Sequence, residues 1–518
     1  MKKYPIYFLV LYLLLNSCST DSPKEISVPK VIPTIVNTFP EHYLGELNSL
    51  ITDANLLHLY QNKKEFIWID ANEKITSEAT KLIELIQHPE YFGLSKQYFQ
   101  LDDLTKAIKN NNIVKIELLL TQSYAVFGQL ISNGIIKNVK DFTKFTRRYV
   151  DTNWYNILNK GVKDNKKIKY LLSLQPVHSE YKRLQKGLEQ YLKRVRISDS
   201  SILVKSYKKD SVKTYSQAVK ALALHGFLPN DSISDSTQVI QAIKKFQYEH
   251  GLEVDGIVGR GTAKALSKST LHYYHTAQIA LEKWRWTLPF EPHHIFVNIA
   301  TYKLKCYKNN QLKQERKIVV GTNTKRTPQL DSKLSYFIAY PYWYVPKSII
   351  VEELVAKAQK DSTYLSRNGY EVFKNKKAIN SKTIDWSQGS NYRIRQKGGK
   401  SNALGIVKFI FPNKYSVYFH DTPSKRLFKK GRRAYSHGCV RVNQPLKLVD
   451  YLLKNDSANA YTLDSVNYYI KNKQRKVISL HKKVPVHIRY FTAEADSNSQ
   501  IIFYPDVYSL EKEIVLKP

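Results

Sequence analysis

The chain has 518 residues and a formal net charge of +37, from 81 Lys and Arg against 44 Asp and Glu. Its length allows about two to four domains, and its 42% hydrophobic residues exclude a largely disordered chain. The basic residues are spread along the chain, without a nucleic-acid motif or a dense basic tail, so we expect no nucleic-acid partner. The charge indicates a solvated basic surface or an anionic partner, such as lipid headgroups or polymer carboxylates.

Residues 1–18 have the pattern of a targeting segment. A positive start is followed by a ten-residue apolar run that is too short to cross a bilayer as a helix, and the segment ends in Leu-Asn-Ser-Cys at Cys18. This ending resembles the lipobox of bacterial lipoproteins, which implies a lipoprotein signal peptide and lipidation of Cys18. Because Asn16 is unusual at its position, a plain secretory signal with an unrelated cysteine is the alternative. Residues 19–39 predict a flexible tether.

Residues 40–212 predict a mainly helical domain. Apolar residues recur there at helical spacing in two runs: Leu44, Leu47, Leu50 and Ile51, then Leu118, Leu119, Ala125, Val126, Leu130 and Ile131. No group of catalytic side chains gathers in this part of the sequence. We interpret its conspicuous Trp68 and His178 as packing residues.

Residues 213–268 predict a compact unit. Apolar positions indicate two helices, and the second has a polar cap at 235–237. A loop at 255–259, Asp-Gly-Ile-Val-Gly, precedes the last part of the unit. The pattern resembles the three-helix peptidoglycan-binding domain, which implies binding to glycan or peptide. Turn geometry alone explains the glycines, so a purely spacing role is the alternative. Residues 269–289 return to a helical pattern, and the unit is therefore an insertion.

From residue 290 the hydrophobic period changes from helical to two, which predicts a mainly β domain that extends to 518. Strands are indicated at 295–299, 303–307, 316–321 and 392–395. Asn309 and Asn310 form a hairpin turn signal. Residues 343–400 interrupt the strand pattern and begin with a helical stretch. Cys306 lies inside a strand without a neighbouring histidine, so we expect a structural role for it.

The reactive groups gather around Cys439. His437 precedes this thiol by two residues, and Gly438 between them allows a tight turn. His420, nineteen residues before Cys439, ends a strand-like run at 415–419. A cysteine needs a base or a positive neighbour to become a thiolate near neutral pH. This stretch supplies both and predicts a nucleophilic cysteine site.

The run Ser-His-Gly-Cys-Val-Arg at 436–441, with His420 upstream, resembles the signature of the L,D-transpeptidases, which cross-link bacterial peptidoglycan. Its flanks at 405–409 and the helix opened by Pro445 fit as well, and the helical regions resemble large Gram-negative members. The resemblance implies a multidomain α+β protein. Its parts are a scaffold at 40–212, an inserted three-helix peptidoglycan-binding domain at 213–268, a return helix at 269–289, and a mainly-β catalytic domain at 290–518 with a capping insertion at 343–400.

The resemblance also implies the main catalytic roles. Cys439 is the nucleophile and His420 the general base and acid. Spacing alone leaves His437 open as the base, because residues two apart share one side of an extended strand. The backbone carbonyl of Asp421 is expected to hold the His420 ring in its working tautomer.

Further residues are expected to support the reaction. Backbone N–H groups of Gly438 and Cys439, with the Tyr418 hydroxyl, are candidates to receive the oxyanion, and Ser436 is a supporting residue. Arg441 either holds a substrate carboxylate as a planar fork or fixes the loop through a structural ion pair.

The implied reaction is transfer between stem peptides, at the cell envelope on its periplasmic side. The thiolate attacks a donor tetrapeptide, D-Ala leaves, and an acceptor amine resolves the thioester into a 3→3 cross-link. This chemistry needs no cofactor, and the sequence has neither zinc-ligand spacing nor a glycine-rich phosphate loop. An L,D-carboxypeptidase with the same site and a non-enzymatic wall-binding lipoprotein are the alternatives.

Overall fold

The computed structural model describes residues 60, 66–135, 154–208, 211–232, 235–384, 386, 392–511 and 514. The segment 1–18 with Cys18, and the tether 19–39, lie outside the described residues. Within the described ranges, no helix is both long and apolar enough to cross a membrane. The elements fall into a helical part and a mainly β part, which confirms the predicted multidomain α+β class.

The helical part owes its order to stripes of apolar residues. Its helices are α1 (Ser77–Gln87), α2 (Leu101–Lys109), α3 (Ile113–Asn133), α4 (Trp154–Lys163), α5 (Lys167–Leu172), α6 (Ser179–Arg194), α7 (Ser211–Leu224), α8 (Ser236–Glu249), α9 (Arg260–Leu266) and α10 (Thr270–Trp286). In α3, Tyr124, Phe127 and Ile131 are fully buried on one face. Trp68 packs beside this helix, and its indole donates to Thr121 Oγ1 at 2.9 Å, which confirms its predicted packing role.

Helix α10 connects the helical part to the β part. Nearly all of its residues are buried, and Arg285 donates to Glu282 Oε1 and to the Phe92 carbonyl, both at 2.5 Å. His178 lies 4.9 Å from the Trp284 ring and hydrogen-bonds to a backbone carbonyl at 3.1 Å, so it is a packing residue as predicted. The return helix is therefore a central, buried element of the molecule.

The inserted unit, built from α7, α8 and α9, has a hydrophobic core of its own. Asp235 caps α8 by accepting from the Thr237 N–H. Gln247 organises the glycine loop, since its Oε1 accepts from the N–H of Gly256 at 2.8 Å and its Nε2 donates to Asp255 Oδ1 at 2.7 Å. These contacts explain the loop residues by folding alone.

Strands in chain order are β1 (His294–Asn298), β2 (Lys303–Lys308), β3 (Gln311–Gly321), β4 (Leu330–Ala339), β5 (Trp343–Tyr344), β6 (Tyr370–Lys374), β7 (Lys377–Ile379), β8 (Arg393–Gln396), β9 (Val407–Ile410), β10 (Phe419–His420), β11 (Ala434–Ser436), β12 (Val440–Val442), β13 (Lys476–Arg489), β14 (Ala493–Ala495) and β15 (Ile501–Phe503). Nine form one sheet in the order β11-β3-β12-β10-β9-β4-β13-β1-β2, and a β2–β3 pairing closes eight of them into a ring, with β11 paired to β3 outside it. The β14–β15 hairpin shares a core with α6 and α10.

The hairpin turn predicted at Asn309 and Asn310 joins β2 and β3. Asn309 and Asn310 have φ of 52° and 59°, the left-handed values that a tight hairpin turn requires. Cys306 is buried in β2, and burial raises the pKa of its thiol to about 12. This environment suits a structural residue and does not suit a nucleophile.

The prediction of a strand over 415–419 is wrong for most of these residues, because strand β10 begins only at Phe419. Asn413 explains the difference. Its Oδ1 accepts from the N–H groups of Tyr415 and Val417, both at 3.1 Å, and Ser416 takes a φ of 55°. The segment is therefore a side-chain-stabilised turn whose alternating residues imitate a strand.

The insertion at 343–400 folds as a separate layer, which we call the cap. Strands β5, β8, β6 and β7 form its sheet in that order. Helices α11 (Lys347–Ile349), α12 (Val355–Lys360) and α13 (Tyr364–Arg367) pack on it, with a π-helical segment (Ile350–Leu354) between the first two. After the cap and the site loop, α14 (Pro445–Lys454) starts at the predicted proline, and α15 (Leu463–Lys471) follows.

Candidate active site

Three neighbouring strands, β9, β10 and β12, assemble the site. Phe419 pairs with Phe409 on one side and with Val440 on the other, and all three side chains are fully buried in the core. Side chains alternate between the two faces of a strand. The next row, in which His420 pairs with Lys408 and with Arg441, therefore lies on the opposite face. This alternation gives the site a polar surface directly on the hydrophobic core.

The Cys439 thiol lies just before β12, on the same side of the sheet as this polar row. Both the N–H and the hydroxyl of Tyr418 hydrogen-bond to it, and the Ser416 carbonyl lies 4.0 Å from Sγ. Burial raises the pKa of the Cys439 thiol, whereas the bonds from Tyr418 and the charges of Lys408 and Arg441 lower it. Tyr418 thus stabilises the thiolate form of Cys439, and the turn at Ser416 places a carbonyl beside the sulfur.

His420 is buried and neutral. Its Nδ1 contacts the Asp421 carbonyl at 2.5 Å, and a carbonyl can only accept, so Nδ1 carries the proton. Nε2 is then left with its lone pair, which is the tautomer that a general base needs. Burial and the Arg441 charge lower the pKa of His420 to about 3, with Lys408 adding to this effect. The orienting contact expected of the Asp421 carbonyl is therefore present.

The Asp421 carboxylate holds the backbone at the start of strand β9. It accepts from the Ile406 N–H at 3.1 Å and pairs with Lys425. Gly405 makes this possible, because its φ is +59° and a Cβ there would lie 2.2 Å from Asp421 Oδ2. A larger residue at 405 would displace Asp421 and, with it, the carbonyl that orients His420.

The loop before Cys439 is held from both sides. Gly438 has a φ of +113°, and its carbonyl accepts from Thr327 Oγ1 at 2.8 Å. Ser436 Oγ donates to the Cys439 carbonyl at 2.5 Å and accepts from the Gly438 N–H at 3.2 Å. Of the expected oxyanion donors, the Gly438 N–H is therefore engaged by Ser436. The Cys439 N–H therefore remains as a donor, and the Tyr418 hydroxyl, which is bonded to the thiol at rest, becomes available once sulfur has bonded to the carbonyl carbon.

His437 points to the cap and not along the polar row. Its Nε2 lies 2.6 Å from Glu353 Oε1, on the π-helical segment. The adjacent Glu352 pairs with Lys325, which follows β3. Trp343, at the start of the cap, hydrogen-bonds to the Tyr418 hydroxyl. The cap thus contacts the site loop and the thiol's own partner.

Arg441 has no acidic partner among the described residues, so the structural ion pair that the sequence left open is not found there. Burial lowers the pKa of its guanidinium, and Nε is buried without a hydrogen bond. Lys408 and Glu353 were missed by sequence reasoning. A lone lysine between apolar residues at 407–411 was an available signal for the first. Nothing in the sequence pointed to Glu353, which meets His437 only through the fold.

The comparisons with known proteins agree with this architecture. Residues 292–478 match the L,D-transpeptidase catalytic domain, 54–188 match a scaffold domain, and 213–266 match a domain described as "Putative peptidoglycan binding domain". A Haemophilus influenzae protein named "Putative L,D-transpeptidase" is 37% identical over 226 residues, which are 43% of this chain and 45% of that protein. The chain thus spans about half the length of this curated relative.

Solved structures of L,D-transpeptidases were also matched. The enzyme from Mycobacterium smegmatis is 12% identical, with a TM-score of 0.19, over 38% of this chain and 58% of its own. Residues 123–326 of the Xylanimonas cellulosilytica enzyme are 12% identical, with a TM-score of 0.18, over 57% of this chain and 98% of their own. By its family matches, the chain contains in turn regions that match a scaffold domain, a domain described as a putative peptidoglycan binding domain, and the L,D-transpeptidase catalytic domain.

Proposed function

We propose that this protein is a peptidoglycan L,D-transpeptidase that forms 3→3 cross-links through a cysteine thioester and releases D-Ala. The observation that carries this proposal is the Cys439 thiol, hydrogen-bonded to Tyr418, on the same side of the sheet as a buried His420 whose Nδ1 is fixed by a carbonyl. A thiol and an oriented neutral imidazole are the components of nucleophilic acyl transfer. They lie inside the matched catalytic domain.

The steps follow from these groups. His420 Nε2 takes the thiol proton, and Sγ forms a bond to the donor carbonyl carbon. The Cys439 N–H and the Tyr418 hydroxyl donate to the oxyanion. When the carbon–nitrogen bond breaks, the leaving D-Ala amine takes the proton from Nε2. An acceptor amine then attacks the thioester, gives a proton to Nε2, and the thiol is regenerated when that proton returns to sulfur.

Transfer requires that the acceptor amine outcompete water at about 55 M. Effective molarities of roughly 10⁵–10⁸ M for well-oriented groups make this feasible. The cap supports this proposal because it contacts His437 and Tyr418 at the site. In this position it would act as a lid and exclude water. The inserted unit would keep acceptor strands near the enzyme. A carboxypeptidase would need neither feature.

The test is product analysis. The protein is incubated with tetrapeptide muropeptides, and the products are resolved by mass spectrometry, with Cys439→Ala as the control. We expect cross-linked dimers, each formed with the loss of one D-Ala. Free tripeptide alone, even with abundant acceptor, would replace the transpeptidase by the L,D-carboxypeptidase. Unchanged substrate with a correctly folded protein would favour the non-enzymatic wall-binding lipoprotein.

We expect the inserted unit to bind the wall without catalysing. A fragment spanning 200–268 has a self-contained core, to which Val204 also belongs, so it is expected to fold alone. It should co-sediment with purified sacculi, and less so at high salt if charge contributes. Failure to sediment at low salt would leave the unit with a spacing role.

We also propose that Cys18 carries a lipid that anchors the protein at a membrane of the cell envelope, on the periplasmic side. The short apolar run and the lipobox-like ending support this proposal. Expression in a bacterial host with labelled palmitate should label the wild type and not Cys18→Ala. Equal labelling of both proteins, or of neither, would indicate a plain secretory signal.

A further inference from the structure

Lys408 is a charged residue within an otherwise apolar strand. It lies in β9 between Val407 and Phe409, which are fully buried in the core of the β domain. Its position opposite His420 in the sheet places it in the polar row that also contains Arg441. Neither the fold nor the proton-transfer steps described above requires a cation at this position.

The lysine reaches the nucleophile through Tyr418. Its Nζ lies 3.8 Å from the centroid of the Tyr418 ring, a close cation–π contact, and the hydroxyl of that ring hydrogen-bonds to the Cys439 thiol. The charge of Lys408 acts on the thiol, and the thiol acts on Lys408 in return. The ammonium group is therefore held on the thiol side of the polar row.

Acidic side chains nearby are committed elsewhere. Asp421 pairs with Lys425, and Glu353 pairs with His437. In the described part of the chain, neither Lys408 nor Arg441 forms a salt bridge. Two half-buried cations without a counter-charge are costly to the fold. An anionic group bound between them would offset this cost, and it would lie directly beside the nucleophile.

We propose that Lys408 is a substrate-binding residue that, together with Arg441, holds the carboxylate of the donor's leaving residue. This inference rests on the proposed function. The leaving D-Ala carries its carboxylate one carbon beyond the scissile nitrogen, so the carboxylate lies within roughly 4 Å of the carbon that Sγ attacks. The other carboxylates of a stem peptide lie farther from that carbon. A cation near the thiol therefore recognises donors that end at this position.

The same contact would prepare the base. Both cations lower the pKa of His420 because they disfavour the charged imidazolium. A carboxylate bound between them would cancel much of this effect and raise the pKa of His420 toward the range in which an imidazole accepts a proton readily. The donor would thus improve the base that activates the nucleophile against it.

The first test uses alkylation of Cys439 and needs no enzymatic turnover. Iodoacetamide and iodoacetate share one reactive group, but only iodoacetate carries a carboxylate. Lys408→Met should lower the iodoacetate rate more than the iodoacetamide rate, so that their ratio falls about threefold or more. Lys408→Arg should keep the ratio. Lys160→Met, which removes a lysine 5.2 Å from the Tyr170 ring in the helical domain, should leave the ratio and both rates unchanged.

If both rates fall equally in Lys408→Met, the lysine acts only on thiol ionisation and the proposal is overturned. If neither rate changes, the proposal is overturned as well. If the methionine variant misfolds, Lys408→Gln removes the charge and keeps a polar group. The second test compares donor tetrapeptides with a free C-terminal carboxylate or an amide. Lys408→Met should raise KM for the acid and not for the amide. If no donor reacts with any variant, the proposed function fails, whereas the alkylation ratio still decides the role of Lys408.

Discussion

Replacing Cys439 by alanine is expected to abolish acylation by donor peptides, with a loss of more than about 10³-fold, because no other described thiol can replace it. Cys306 is buried in β2, and burial raises the pKa of its thiol to about 12. Intact-mass measurement after addition of a donor tetrapeptide reads the result directly. The wild type should gain the mass of the donor less D-Ala, and the variant should gain nothing.

Cys306→Ala is the matched control. It should acylate normally, with a stability loss of about 1 kcal/mol from the small cavity that it leaves. An adduct on the Cys439 variant, or its loss in the Cys306 variant with an intact fold, would contradict the assignment of the nucleophile.

The pH dependence of Cys439 alkylation provides a second test of the candidate nucleophile. Burial raises the pKa of the Cys439 thiol above its usual range. The thiolate is the reactive form, so its fraction grows as pH rises through that pKa. Iodoacetamide should therefore react increasingly fast from neutral pH to beyond pH 9. A plateau reached near pH 6 would instead indicate a thiolate–imidazolium pair already formed at rest.

Sequence reasoning identified the parts of the fold that local pattern determines. The stripe in α3 fixed its helix, and Asn309 with Asn310 fixed a hairpin, because each signal lies within a few residues. The strand predicted at 415–419 was wrong because a second local signal competes there with the alternation of apolar residues. Alternation was visible in the sequence, but the competing bonds from Asn413 to its neighbours were not. A polar side chain that can hold the backbone outweighed the strand pattern.

In the candidate site, too, local sequence indicated some residues, whereas others meet only through the fold. The spacing of His437, Gly438 and Cys439 indicated the candidate nucleophile, and a resemblance indicated His420 as the candidate base. The sheet register that sets Lys408 and Arg441 on either side of His420 joins strands that are distant in sequence. The contact between His437 and Glu353 spans the cap, and the π-helical segment that presents Glu353 has no clear sequence signal. Such pairs arise from long-range packing, which single-sequence patterns do not encode.

The two histidines have opposite environments. His420 is buried and has a fixed tautomer with a lone pair on Nε2. The His437 side chain is 38% exposed and is paired with a glutamate from the cap. A general base needs an available lone pair within reach of the proton, whereas an exposed paired imidazole fits the role of holding a lid. We therefore expect His420 to be the base and His437 to hold the cap.

His420→Ala is accordingly expected to lower the acylation rate by about 10²–10⁴-fold, and His437→Gln by much less. Glu353→Gln is the matched variant, since it weakens the same cap contact without touching either imidazole. If His437 only holds the cap, His437→Gln and Glu353→Gln should reduce transfer to a similar, small extent and raise the share of hydrolysed product as water enters. Single-turnover rates with a donor peptide, followed by product analysis, separate these effects. A loss in His437→Gln as large as in His420→Ala, with Glu353→Gln unaffected, would show that His437 is the base.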